Sequence, residues 1–416
     1  MRGPNLPANF FKKNREHLLK KVGTDSLVII RSAERMIRNA DINHPFRQDS
    51  NFFYFTGIET PDCILLLIPE NQGQPEEILF IKPIDPIVEK WEGRMLTKQR
   101  ATEISGIKNV QFLDQFQATF FRAQHWRAFL YCEVNQVFPH QPLTAQHQFL
   151  DRLRQRLPGL TFKKLHELTT PLRNQKSPEE IDVLRGSIRI IDEALRDVMK
   201  RLKPGMMEYQ VEAILTFHYL DKGCDRLGYE IIAAGGQNAT VLHYVDNDHA
   251  ILEGDLLLID TGGEFGMYSG DITRTLPVNG IFSERQRHCY QAVLEVNKEF
   301  IERLKPGQTW KELYQTADEI MGETYFRYGL IDDPKDHFKI SYHRIGHSLG
   351  LDIHDVSKMD LTLSAGSIIT VEPGLYLPKE KIGIRIEDNI LFTESGTENL
   401  SESIPKEISE IEELMK

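Results

Sequence analysis

The sequence predicts an α/β (α+β) protein of two domains. A mixed α/β domain spans residues 1–172, and a larger domain over 173–416 consists of two related halves about an internal pseudo-two-fold. Three observations carry this reading. At 416 residues the chain is longer than one hydrophobic core usually serves. The polar stretch Thr170-Pro171-Leu172-Arg173-Asn174-Gln175-Lys176 breaks the patterning, which marks a linker near 170–176 before a helix start at Ser177-Pro178-Glu179-Glu180. Beyond it, two acidic hairpins repeat one design.

In the first domain, short apolar runs alternate with helical material. Ser26–Ile30, Cys63–Ile68 and Glu77–Ile81 read as strands, with the Asn51–Tyr54 stretch running into Phe55-Thr56-Gly57-Ile58 between the first two. Helical patterning follows around 97–106, further apolar residues lie near 126–131, and a long helix candidate runs His147–Leu157.

In the second domain, Arg201-Leu202-Lys203-Pro204-Gly205 recurs as Arg303-Leu304-Lys305-Pro306-Gly307, each copy closing a helical pattern. His243 then pairs with His347, Asp260 with Glu372, and Asp271 with Glu387, in the same order and with a separation that only grows, as loop insertions would make it grow. In each copy the first acid closes an apolar strand, Leu256–Ile259 or Ile368–Val371, and the second follows a glycine-rich turn. The acidic tail from Ser401 to Lys416 reads as a solvated terminal helix.

A carboxylate at the end of an apolar strand loses water and needs a partner, and four of them meeting between two halves suggest a metal site. Pro373 holds Glu372 in extended backbone. In Ile382-Gly383-Ile384-Arg385-Ile386-Glu387 the strand period sets the isoleucines on one face and Arg385 with Glu387 on the other, so the arginine would keep a ligand carboxylate ionised. Asp271, Thr273 and Thr275 share a face by the same count, making Thr273 a support for Asp271. His343, His347 and His354 crowd a glycine-interrupted segment between the halves. Four carboxylates with one imidazole carry about four negative charges, which two divalent ions would neutralise; hard oxygen ligands favour Mn²⁺, with Co²⁺, Zn²⁺ or Fe²⁺ as alternatives. Two such ions generate a hydroxide at neutral pH and polarise a carbonyl, so hydrolysis is the natural reaction class. Each feature alone has a structural reading: Asp260-Thr261-Gly262-Gly263 as a turn, the histidines as solvated or core residues, Glu372 as a strand end. The joint arrangement is what argues for a site. An aspartic peptidase would need a second Asp-Thr-Gly, which the 372 region does not supply.

A net charge of -11 leaves no electrostatic footprint for nucleic acid. No stretch reaches the roughly 18 apolar residues of a membrane span, and the N-terminal segment lacks the apolar run of a signal peptide. Cys63, Cys132, Cys224 and Cys289 are far apart in mostly apolar contexts, and read as reduced core residues of a cytoplasmic protein.

His243–Asp248, Leu256–Thr275, Arg344–Asp355, Thr370–Tyr376 and Gly383–Asn389 resemble the five successive signature segments of the proline-specific "pita-bread" metallopeptidases. Arg38–Ile68 and Glu89–Leu96 resemble the creatinase-like first domain of the aminopeptidase P subgroup, so the resemblance covers nearly the whole chain. It implies metal ligands Asp260, Asp271, His347, Glu372 and Glu387, with Asp271 and Glu387 bridging both ions. It implies that Glu372 manages the proton of the attacking water and that His243 and His354 bond the substrate and the developing oxyanion. Arg385 corresponds to an arginine supporting the ligands, Tyr229 and His343 to pocket residues, and Trp91 to a tryptophan that a neighbouring subunit lends to the site in tetrameric members.

The implied activity is hydrolysis of the N-terminal Xaa-Pro bond of peptides by a hydroxide bridging two divalent ions, in a homodimer or homotetramer. Residues 355–371 lack the arginine that dipeptide-cleaving relatives are expected to use, which leans toward peptides longer than two residues and leaves an Xaa-Pro dipeptidase (prolidase) as the alternative. Methionine aminopeptidases share only the second domain. Metal-free creatine hydrolases and non-catalytic binding proteins of this fold lose the ligand positions, which are intact here.

Overall fold

The computed structural model describes residues 2–71, 73–134 and 143–416; Met1, Gln72 and residues 135–142, all inside the expected first domain, lie outside the described residues. The chain forms two compact units, Asn5–Leu172 and Met1–Pro4 with Arg173–Lys416.

The smaller unit is built on a six-stranded mixed sheet, in spatial order Asn109–Phe112, Gln74–Ile81, Ile64–Asn71, Ser26–Arg31, Phe129–Cys132 and Thr161–Lys164. Ser26–Arg31 pairs antiparallel with Ile64–Asn71 and parallel with Phe129–Cys132. Leu27 to Ile30 are buried in succession, as expected of a strand covered on both faces. The Asn51–Tyr54 stretch lies in a helix, Ser50–Thr56, capped by the Asp49 carboxylate accepting from Phe52 N and ended by Gly57 at φ +69°. The helices expected around 97–106 and 147–157 run Lys98–Ser105 and Ala145–Arg156, capped by Thr97 and Thr144.

The segment expected as a polar linker is instead buried. A helix, His166–Asn174, covers most of it, and Arg173, Asn174 and Lys176 are all buried. The charges are tolerated because each is met: Arg173 pairs with Asp352 and Asp355, and Lys176 Nζ lies 3.0 Å from Asp355.

In the larger unit the repeat read from the sequence is a repeat of structure. Helices Pro178–Arg201 and Glu208–Asp221 precede a sheet of Ile232–Gly235, Leu256–Thr261 and Ile272–Pro277; helices Glu284–Arg303 and Trp310–Arg327 precede a sheet of Ile368–Val371, Asp388–Phe392 and Thr397–Asn399. Each long helix stops at the Lys-Pro-Gly turn, where Gly205 and Gly307 take φ of +89° and +95°. Ser177 and Glu180 form a capping box for the first helix; Ser283 with Gln286, and Thr309 with Glu312, do so in the second half. One apolar core joins the helices to both sheets through residues such as Leu195, Val293, Ile259 and Ile369. The tail is not a solvated helix: Ile408–Leu414 packs into this core through Ile408 and Ile411, because its apolar positions recur every three residues.

Among the described residues no helix is long and apolar enough to cross a membrane. All four cysteines are free and buried, and burial pushes the Cys63, Cys132 and Cys224 thiols up to about 12.

Candidate metal centre

The two hairpins deliver their acids to one place. Asp260 is the last residue but one of the strand Leu256–Thr261, paired across to Ile232 on one side and Thr273 on the other. Asp271 immediately precedes the third strand of that sheet. Glu372 follows Ile368–Val371, and Glu387 lies between the strands Ile382–Arg385 and Asp388–Phe392. Ligand atoms of Asp271, His347 and Glu387 lie within 4.8 Å of one another. The other two acids adjoin this group: Tyr229 donates its hydroxyl to both Asp260 Oδ1, at 2.6 Å, and Asp271, and Glu372 Oε1 lies 3.6 Å from His347 Nε2.

His347 is fixed by its own backbone and by the strand beside it. Its N–H donates to Thr370 Oγ1 at 3.0 Å, and its Nδ1 donates to the Ser348 carbonyl at 3.0 Å. That leaves Nε2 aimed at the acids, 3.4 Å from Asp271 Oδ2.

The supports differ from those counted on the sequence. Thr273 Oγ1 donates to Glu387 Oε2 at 2.7 Å, so it serves Glu387 and not Asp271. Arg385 keeps a ligand carboxylate ionised, but the one it bonds is Asp260: its Nη2 bonds Asp260 Oδ2 at 2.5 Å, Nε bonds Thr273 Oγ1 at 3.1 Å, and Nη1 bonds the Tyr376 hydroxyl at 2.9 Å, while Glu387 feels its charge alone. Arg385 and Glu387 do share the cavity face, as the alternation predicts, with Ile384 and Ile386 in the core, but the guanidinium's hydrogen bonds go to other partners. Tyr376 passes the contact on, donating to His343 Nε2 at 2.8 Å, while His343 Nδ1 donates to the Arg344 carbonyl. Gly374 leaves room for this relay, since a Cβ there would stand 2.5 Å from the Tyr376 hydroxyl and 2.7 Å from His343 Nε2.

The electrostatics are those of buried, excess negative charge. Burial, opposed by Arg385 and reinforced by Asp271, raises the Asp260 carboxyl. Burial, opposed by His347 and Arg385, pushes Glu372 up to about 7, and burial with Asp271 and Glu372 beside it raises Glu387 well above the carboxylate range. For His347, burial acts downward, but the hydrogen bond and charge of Asp271 and the charge of Glu372 prevail and hold its proton up to about 9. Such a site attracts cations. Oxygen donors on opposite strands, one imidazole nitrogen and no thiolate fit divalent metal ions of the harder kind.

These groups line a cavity of about 770 Å³. His243, His343 and His354 share its wall, and the His354 ring stands edge-on to His347 with centroids 4.3 Å apart. Burial and then the Arg385 charge lower His343 to about 4. Trp91, on the helix Pro86–Glu92 of the smaller unit, is 86 % exposed and is not among the cavity's lining residues. Sequence reasoning missed Tyr376 and Asn389. Counting alternate residues from Glu372 reaches Tyr376, and Asn389 directly follows the Glu387-Asp388 pair, but neither position is marked by composition.

Residues 182–394 match the model of metallopeptidase family M24, and residues 11–128 match that of the aminopeptidase P N-terminal domain. The chain is 34 % identical to the Xaa-Pro aminopeptidase of Haemophilus influenzae, over 99 % of this chain and 98 % of that protein. It is 33 % identical to the Xaa-Pro aminopeptidase of Escherichia coli, over 97 % of each. The structure of Zn-substituted E. coli aminopeptidase P in complex with product matches with a TM-score of 0.90 at 31 % identity, covering 99 % of both chains. The two hairpins and the histidine segment between the halves, which together bring five ligand-type side chains to one place, are therefore those of a known peptidase fold, and the chain belongs to metallopeptidase family M24, in the aminopeptidase P group that carries the matching N-terminal domain.

Proposed function

We propose that this chain is an Xaa-Pro aminopeptidase, hydrolysing the bond between the first residue of a peptide and a proline in second position. The convergence of Asp260, Asp271, His347, Glu372 and Glu387 in one cavity carries the reading, and the names of the full-length relatives support it. These five residues would hold two divalent ions, Mn²⁺ being the best match to four carboxylates and one imidazole, with Co²⁺, Zn²⁺ or Fe²⁺ as alternatives. When bound, the ions polarise the scissile carbonyl and make a water nucleophilic at neutral pH.

The chain's own residues do the rest. A proline nitrogen carries no hydrogen, so the leaving group departs only once a proton reaches it. Glu372, part-buried beside His347 and His343, would take the water's proton at Oε and hand it on. His243 and His354 on the cavity wall donate to the carbonyl oxygen as charge develops there. Arg385, spanning Asp260, Thr273 and Tyr376, keeps the ligands and His343 in register. Tyr229 positions Asp260 and Asp271 from the opposite side.

The deciding experiment compares an Xaa-Pro-Yaa tripeptide with an Xaa-Pro dipeptide, using Mn²⁺-loaded protein and an Asp271→Asn control. Cleavage of the tripeptide well above the dipeptide, absent in the control, is the expected result. Preference for the dipeptide would make the protein a prolidase, and no metal-dependent cleavage of either would make it a binding protein. The assembly belongs to the same proposal: a cytoplasmic homodimer or homotetramer in which Trp91, exposed on its own subunit, completes a neighbour's site. Full activity of assembled Trp91→Ala protein would refute that sharing.

A further inference from the structure

We infer that Arg344 is the receptor for the free C-terminal carboxylate of short peptide substrates, on the leaving-group side of the cavity. The inference rests on the peptidase reading above and names the substrate class within it.

The cavity lining carries two arginines. Arg385 is wholly engaged by Asp260, Thr273 and Tyr376. The guanidinium of Arg344 makes no ion pair among the described residues; it lies over the Tyr314 ring, 4.7 Å from the centroid. Its backbone is held in place, because its carbonyl accepts from His343 Nδ1 at 2.9 Å. Tyr314 in turn is set on the helix Trp310–Arg327, with its hydroxyl 3.5 Å from the Gly346 carbonyl. An arginine held over an aromatic ring and free of any ion pair keeps N–H donors for a carboxylate, which can accept two parallel bonds from a guanidinium edge. The stacking also restrains a long side chain, so less freedom is lost on binding.

The place of this cation follows from its neighbours. Tyr314, under the Arg344 guanidinium, lines the same cavity as Glu372, and His343, one residue before Arg344, lies 3.5 Å from Glu372. Glu372 serves the departing proline nitrogen, so chain beyond that nitrogen runs toward Arg344. An extended residue spans only about 3.3–3.6 Å, so a carboxylate bound within this cavity belongs to a peptide that ends shortly after the scissile bond.

The test compares an Xaa-Pro-Yaa tripeptide as free acid and as C-terminal amide on Mn²⁺-loaded wild type, Arg344→Gln and Arg344→Lys. Arg344→Gln should raise KM for the acid about tenfold with kcat little changed and leave kcat/KM for the amide unaltered, while Arg344→Lys recovers part of the loss. Tyr314→Leu should weaken the acid preference. Equal effects on acid and amide, or none on either, would overturn the assignment. Calorimetric binding of a Pro-Leu dipeptide and its amide to the same proteins gives a readout independent of turnover. If wild type cleaved no Xaa-Pro peptide, the peptidase reading would fall, and loss of the acid-over-amide binding difference in Arg344→Gln would still decide the role of Arg344.

Discussion

Asp271 and Asn389 exchange a reciprocal pair of backbone-to-amide bonds: Asp271 N donates to Asn389 Oδ1 at 3.1 Å, and Asn389 Nδ2 donates to the Asp271 carbonyl at 2.6 Å. The two residues belong to different hairpins, and Glu387 N donates to the Thr273 carbonyl beside them at 3.0 Å. The backbones that carry Asp271 and Glu387 are thus tied edge to edge. Asn389 is fully buried, so Asn389→Ala should leave two unpaired groups and cost about 1–3 kcal/mol of stability. Metal affinity should fall about 10–100-fold, as for other supports of metal ligands. Denaturant unfolding and metal titration measure the two effects; unchanged metal affinity would show that the tie does not set the ligand geometry.

Arg385 and Asp260 form a second such relationship, a buried ion pair at 2.5 Å. Removing one partner of a buried pair is destabilising by about 3–5 kcal/mol because the other charge is left uncompensated. Arg385→Ala should therefore be strongly destabilised without metal and recover much of the loss when a divalent ion, which binds only the folded chain, supplies the missing positive charge. Arg385→Lys should also lose activity about tenfold or more, since an ammonium cannot reach Asp260, Thr273 and the Tyr376 hydroxyl together. An identical stability loss with and without metal would rule out this account.

The sequence made the doubled hairpin and the convergence of its acids legible, because a carboxylate ending an apolar strand and a repeated Lys-Pro-Gly turn are both local signals. The support network was less so. Thr273 was assigned to Asp271 by strand alternation, but it crosses to Glu387 because the two hairpins pack edge to edge, a tertiary fact that period two does not contain. The polar run at 170–176 resembled a linker, since nothing local reveals that Asp352 and Asp355 wait for Arg173 and Lys176. The acidic tail hid three core isoleucines, Ile404, Ile408 and Ile411, behind its charge.

Glu208 was equally invisible, and it holds the loop that bears His243. Fully buried, its carboxylate accepts from Gly235 N at 2.8 Å, Asn238 Nδ2 at 3.0 Å, the Tyr244 hydroxyl at 2.7 Å and His249 N at 3.0 Å. Tyr244 is the residue after His243, so Glu208→Ala should lower kcat about tenfold by loosening the histidine's backbone, with a smaller change in KM. The discriminating measurement is a double-mutant cycle: His243→Ala should cost much less in the Glu208→Ala background than in wild type. Full additivity would assign Glu208 to the fold alone.

The last expectation concerns acid stability. Asp388 is fully buried between Arg274, 2.8 Å away, and Lys406. Burial raises its carboxyl, but the two cations prevail and hold it down at about 2, against an ordinary 3.8. On acidification the unfolded chain takes up this proton first, so the contribution is fully present above about pH 4 and is lost as the pH falls toward 2. A depression of this size corresponds to about 2 kcal/mol. Asp388→Asn should be less stable than wild type at neutral pH, where Arg274 and Lys406 lose their counter-charge, yet its urea midpoint should fall less steeply between pH 4 and pH 2. Parallel profiles for the two proteins over that window would mean that Asp388 is not the group whose protonation undermines the fold in acid.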